Sequence, residues 1–179
     1  MGKNVLIIST SMRNNSNSDL LAESFLKGAE GVGHHVEQIS LKDKVIGFCR
    51  GCLACQKTGS CVIHDDAEAI VQKMLKADVL VFATPVYYYE MSGQMKTMLD
   101  RANPLYTADY AFKDVYLLAT AAEDEAHAVE GAVKGLQGFI DCFEEAQLAA
   151  TVFAGGVDAP GKVKGHVALK QAYEIGRNI

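Results

Sequence analysis

Four cysteines fall within thirteen positions, Cys49-x2-Cys52-x2-Cys55-x5-Cys61, in a stretch that also holds Gly51 and Gly59. Thiolates three residues apart in a glycine-containing turn can converge on one iron–sulfur centre. The run departs from the bacterial ferredoxin pattern, which closes on an interval of three and a proline. Zinc is a second alternative, although paired Cys-x2-Cys hooks usually stand further apart, and free thiols are a third. Cys142, next to Ile140 and Phe143 on a helical face, reads as a small core residue.

A second set of residues is rich in hydrogen-bond donors. Ser9-Thr10-Ser11-Met12-Arg13-Asn14-Asn15-Ser16-Asn17-Ser18 leads from an apolar strand into a helix start. The free amides and dipole of a helix N-terminus attract phosphate, and Arg13 adds a charge; an ordinary polar turn with a good cap is the alternative. No Gly-x-Gly-x-x-Gly follows the strand. Gly156 to Lys162 matches Gly-x4-Gly-Lys, but Val163 replaces the magnesium-binding Ser or Thr and Pro160 interrupts it, so it reads as a loop. A third set, Thr84 to Gly93, carries Tyr87, Tyr88 and Tyr89 in a loop, where a ring can stack on a planar ligand. Asp65-Asp66 after His64 reads as a helix cap. Without a His-Glu-x-x-His or a nucleophile elbow, hydrolase chemistry has no support.

The elements that must position these loops alternate along the chain. Val5–Ile8, Val79–Ala83 and Val115–Ala119 are apolar runs without polar alternation, as in strands covered on both faces. His35–Leu41 alternates and reads as a strand nearer an edge, Thr84-Pro85 ends the third strand, and Ala149–Ala154 makes a fifth. Helical spacing marks segments opening near Ser16 and Ser92, the stretches Ala67–Leu75 and Val129–Phe143, and a closing helix Val167–Arg177. This predicts one α/β domain over residues 1–179: a doubly wound five-stranded parallel sheet with helices on both faces and ligands at the carboxyl ends of its strands.

Composition sets limits on function. The 179 residues are 49% apolar and 22% charged, a globular balance, and Lys plus Arg total 17 against 22 Asp plus Glu, a net charge of −5. Such a chain is not expected to bind nucleic acid electrostatically. It has neither an apolar span nor a leader-like start, so no membrane association and a cytoplasmic location are expected.

Taken in order, Ser11-Met12-Arg13 through Asn17-Ser18-Asp19-Leu20-Leu21, Cys52-x2-Cys55-x5-Cys61 leading into Asp65-Asp66, Thr84-Pro85-Val86-Tyr87, and Lys96-x3-Asp100-Arg101 resemble the flavodoxin-like NAD(P)H-dependent FMN reductases, including their iron–sulfur flavoprotein branch. The resemblance implies an FMN phosphate held by Ser11, Arg13, Asn17 and Ser18, with Ser9 and Ser16 of the same loop also among the cofactor-binding residues. It places Pro85, Val86, Tyr87, Tyr88, Ser92 and Gly93 around the isoalloxazine, and Thr120-Ala121-Ala122 as a third flavin-side loop. Met12 stands where the family usually has proline. Lys96, Asp100 and Arg101 fit the family pattern as flavin contacts or as helix and interface charges. The activity implied is electron transfer from NAD(P)H through FMN to a small-molecule or protein acceptor, with no catalytic side chain. The alternative is an electron carrier with a [4Fe-4S] cluster on Cys49, Cys52, Cys55 and Cys61. A homodimer or homotetramer is also implied, with Tyr106, Tyr110 and Phe112 at the interface or in a satellite core.

Overall fold

The computed structural model describes residues 2–179; Met1, first in the expected 1–179 domain, lies outside the described residues. The strands are β1 (Asn4–Ser9), β2 (His35–Ser40), β3 (Val79–Tyr87), β4 (Glu90–Met91), β5 (Asp114–Thr120) and β6 (Gln147–Ala154). Five of them run parallel in the order β2-β1-β3-β5-β6, and β4 pairs antiparallel with the end of β3. With β4 set aside, this is the flavodoxin-like strand order.

The unbroken apolar runs are explained by two cores, one on each side of the sheet. Val5, Ile7, Val79, Val81, Tyr116 and Leu118 pack against α1 (Asn17–Glu30) and α6 (Val167–Arg177). Their neighbours Leu6, Ile8, Leu80, Phe82, Val115 and Leu117 pack against α3 (Asp66–Lys76), α4 (Gly93–Arg101) and α5 (Glu130–Ile140). A strand whose successive side chains all meet a helix has no polar position to alternate with. The two edge strands, β2 and β6, alternate in burial. A single helical turn, α2 (Cys55–Thr58), lies inside the cysteine loop.

Helices α1 and α6 touch backbone to backbone. A Cβ on Gly28 would fall 2.1 Å from Tyr173 O, and one on Gly176 would fall 2.2 Å from Phe25 O.

Several expectations are corrected. The five parallel strands are those expected, and a sixth, short strand, β4, is added to them antiparallel. Thr84-Pro85 does not end β3: the ladder with β5 continues through Thr84↔Ala119 and Pro85↔Thr120. The chain then reverses in a two-residue turn at Tyr88 and Tyr89, with φ of 50° and 65°. Two positive φ values make a primed hairpin turn, normally signalled by Asn-Gly, so three tyrosines concealed it. Tyr89 stacks on His127 with ring centroids 5.5 Å apart, and Gly131 lets α5 approach the turn, since a Cβ there would lie 2.2 Å from Tyr89 O. Cys142 is exposed, just past the end of α5, and is not a core residue. Phe112 is fully buried and, with Phe143, belongs to the core on the α3–α5 side of the sheet, where Tyr110 packs on both, rather than to an interface or a separate satellite core, whereas Tyr106 is exposed.

Candidate functional site

The loops that follow β1, β3, β5 and β6 meet at the carboxyl ends of the strands, where the strand order changes direction between β1 and β3. The first loop ends on the N-terminus of α1. Ser16 caps that helix, its side chain accepting from Asp19 N. Among the described residues none accepts a hydrogen bond from the backbone N–H groups of Asn14, Asn15, Ser16, Asn17 or Ser18. The Ser11 hydroxyl accepts from Arg13 N (3.3 Å) and keeps its own proton to donate. Free amides and hydroxyls in a loop that opens on a helix N-terminus favour an anion.

The second loop is tied to the first by buried hydroxyls. Thr10 Oγ1 donates to Ala83 O at 3.0 Å and lies 2.9 Å from Ser92 Oγ, while Thr84 Oγ1 stands 3.2 Å from Ser92 Oγ and accepts from Ser92 N at 3.1 Å. Ser92 also caps α4, its hydroxyl accepting from Met95 N. Ser92→Ala removes the cap and leaves two buried hydroxyls short of a partner. A loss of about 1–3 kcal/mol is expected in urea denaturation, and a change under 0.5 kcal/mol would count against the cluster.

A cavity of about 200 Å3 opens between the four loops. It brings together the predicted residues Ser11, Arg13, Ser16, Asn17, Pro85, Val86, Tyr87, Thr120 and Ala121, with Ala122 beside them. The fourth loop contributes Val157, Asp158 and Pro160, which the sequence reading had not assigned to the site. Larger open cavities lie elsewhere. One of about 430 Å3 sits at the amino ends of β1 and β2, against Lys73 and Lys76, far from these loops and without a helix N-terminus facing it.

Other predicted residues are not brought to the cavity. Ser9 Oγ donates to the Asp19 carboxylate, whose pKa burial pushes above the usual value, partly offset by that bond. Ser18 Oγ lies 3.0 Å from Ser16 Oγ. Ser92 belongs to the hydroxyl cluster, Tyr88 is wholly exposed at the hairpin tip, and Gly93 lines a neighbouring cavity of about 310 Å3 with Met12 and Phe48. Thr10, at the centre of the hydroxyl cluster, carried no signal beyond its place in a polar loop.

The three charged residues of α4 separate by role. Lys96 and Asp100 pair with each other on the exposed face. Arg101 is buried and grips the loop that follows β2: its guanidinium bonds Asp65 in a two-pronged pair (2.6 and 3.0 Å) and donates to Gly47 O and Ile63 O, both at 2.8 Å. Burial pushes the Asp65 carboxyl up, but Arg101 and the N–H groups of Gly47 and Ala67 outweigh it and hold the pKa below the usual carboxylate value.

Within that loop Cys49 and Cys52 are exposed, Cys55 is buried and Cys61 half-buried. Cys55 Sγ accepts from Asn103 Nδ2 (3.1 Å), Cys61 Sγ from Ile63 N (3.5 Å) and Cys49 Sγ from Gly51 N (3.4 Å). Among the described residues no three His, Cys, Asp or Glu side chains are placed to hold one metal ion. Among the described residues no helix is long and apolar enough to cross a membrane.

Comparison with known proteins gives concordant results. A family model for NADPH-dependent FMN reductases matches residues 3–139. An iron–sulfur flavoprotein of Methanocaldococcus jannaschii is 40% identical over 101 residues, covering 56% of this chain and 52% of that one. Bacillus subtilis YwqN, named as an NAD(P)H-dependent FMN-containing oxidoreductase, is 27% identical over 67% of each chain. The match spans about half the length of the iron–sulfur flavoproteins with which the chain aligns. Among solved structures, an NAD(P)H:quinone oxidoreductase from Methanothermobacter marburgensis superposes with a TM-score of 0.72 over 99% of this chain and 97% of that one, at 18% identity. An azoreductase from Bacillus anthracis gives 0.73 over 99% and 100%, also at 18%. At that identity the likeness is one of fold.

Proposed function

The chain belongs to the NADPH-dependent FMN reductase family, and from that premise we propose an FMN-dependent oxidoreductase that passes electrons from NAD(P)H through the flavin to a small-molecule or protein acceptor. The observation that carries this reading is the row of N–H groups from Asn14 to Ser18 that find no acceptor among the described residues, next to a cavity lined by Ser11, Arg13, Ser16 and Asn17 and by residues of the other three carboxyl-end loops.

The residues present fit the phosphate and one flank of a flavin. The α1 amides, the Ser11 and Ser16 hydroxyls and Arg13 would hold the phosphate. Pro85, Val86 and Tyr87 on one side and Thr120, Ala121 and Ala122 on the other would border the ring. When bound, FMN supplies the two-electron chemistry, accepting hydride from the nicotinamide and returning electrons to the acceptor. The chain's own part is to bind, orient and exclude water, and no side chain is assigned as nucleophile or acid. We place this activity in a single domain, cytoplasmic and assembled as a homodimer or homotetramer.

Arg13→Ala is expected to leave the fold intact and weaken FMN retention roughly 10- to 100-fold, the loss of one charge-assisted hydrogen bond. Flavin content after gel filtration measures it, and unchanged content would remove the first loop from the site.

A second reading, an iron–sulfur flavoprotein relaying electrons between proteins, draws on the names of the relatives and on the spacing of Cys49, Cys52, Cys55 and Cys61. One experiment separates the two: an absorbance spectrum of anaerobically purified protein before and after NADH or NADPH, with iron and sulfide assayed on the same sample. Flavin bleached by nicotinamide without iron supports the reductase. About four irons per chain, with flavin that nicotinamide does not reduce, favours the carrier, and protein without flavin overturns both.

A further inference from the structure

We infer that Asn17 is a positioning residue and not a phosphate ligand: it latches the 157–163 loop onto the start of α1 as the fourth wall of the cavity, and so governs how fast FMN leaves. This rests on the reading of the cavity as an FMN site.

The side chain of Asn17 has two protons to donate and one oxygen to accept with, and the fourth loop takes all of them. Nδ2 donates to Val157 O and to Ala159 O, each at 2.9 Å, and Oδ1 accepts from Val163 N at 3.1 Å. No donor of the amide is left for an anion, although the backbone N–H of the same residue remains free. The loop itself is built like a hinged flap. Val157 and Val163 are buried at its two ends, while Asp158, Ala159 and Pro160 between them are exposed, and Asp158 and Pro160 line the cavity. An internal pair joins Lys162 to Asp158 at 2.8 Å. Among the described residues the one other side-chain hydrogen bond between this loop and the first is Arg13 Nη1 to Asp158 O at 3.0 Å, and it is exposed to solvent. Removing the Asn17 amide therefore leaves Val157 O and Val163 N to find water, which they reach when the flap lifts, while Ala159 O keeps only its bond from Lys162 N.

The test compares hydrogen–deuterium exchange in residues 157–163 with the rate of FMN release, in the wild-type chain and in Asn17→Ala, a substitution that suits a helix start by propensity. The latch predicts exchange in the 157–163 segment of the flavin-free protein and FMN release both faster by about 10-fold. Weaker FMN binding with unchanged exchange would make Asn17 a direct phosphate ligand and overturn the proposal, as would no change in either. Asn17→Asp keeps the acceptor for Val163 N but sets a carboxylate oxygen against Val157 O and Ala159 O, so exchange in 157–163 should again rise; that exchange, read on flavin-free protein and so independent of the added charge near the phosphate, carries the test if circular dichroism shows Asn17→Ala unfolded. If the wild-type chain takes up no FMN, the reading of the cavity fails and the claim about release with it, while the latch stands or falls on exchange alone.

Discussion

Arg101→Ala is expected to destabilise the chain by about 3–5 kcal/mol, the usual consequence of removing one partner from a buried ion pair. The guanidinium is fully buried and Asp65 nearly so, and the same two nitrogens hold Gly47 O and Ile63 O. Two segments on either side of the cysteines thus depend on one side chain of α4. The substitution should also expose Cys55 and Cys61, so that thiol labelling by an aromatic disulfide reagent speeds up alongside the lower urea midpoint. Lysine would not rescue it, because an ammonium cannot reproduce the two-pronged pairing. The pH dependence gives a second check. Since the folded Asp65 carboxyl titrates below its ordinary value of 3.8, its contribution is present above that pH and is lost as pH falls through the lower, folded value. In Arg101→Ala the burial effect meets less opposition, so the gap between wild type and variant should be widest near neutrality and narrow in acid. A gap independent of pH, or below 1 kcal/mol, would show that the pair does not hold the loop.

The second large effect concerns the α1–α6 crossing. In Gly28→Ala and Gly176→Ala the new methyl meets a carbonyl oxygen of the facing helix, at 2.1 and 2.2 Å if nothing moves. Backbone cannot step aside as a side chain does, so each helix pair must separate. Overpacking of this kind costs about 1–3 kcal/mol and sometimes more. The two changes act on one contact and should not add. Gly138→Ala is the control: its Cβ would meet open space within 4 Å, and a small gain in stability is expected. A thermal melt of the three variants decides it, and equal midpoints for Gly28→Ala and Gly138→Ala would refute the close crossing.

What was legible in the sequence followed from local rules. Val5–Ile8 and Val79–Ala83 read as doubly covered strands because a helix lies over each face, and Val167–Arg177 matches the helix in the structure residue for residue. Ser16 and Asp65 were legible as caps because a cap needs only its own next two or three residues. The missing parts depend on partners distant in sequence. Asn17 finds its acceptors about 140 residues on, and nothing near it distinguishes a phosphate donor from a latch. Arg101 lies in a stretch with Lys96 and Asp100 that looks uniformly charged, and only the packing of α4 turns one of the three inward. Cys142 follows the apolar rhythm of α5, but the helix stops at Ile140 and leaves it outside. The Tyr88-Tyr89 turn used residues with no preference for positive φ, held there by α5 and His127.

The pairing of α1 with α6 also fixes an order of events during synthesis. Helix α1 is made well before α6, yet its inner face is covered by Ala168 and Ala172, its Ser24 hydroxyl donates to Leu169 O, and Asn17 waits for residues 157–163. A nascent chain that has reached β5 therefore carries the anion-facing end of α1 without the elements that hold it in place. Chains stalled before α6 is made present an uncovered apolar helix face to chaperones and proteases.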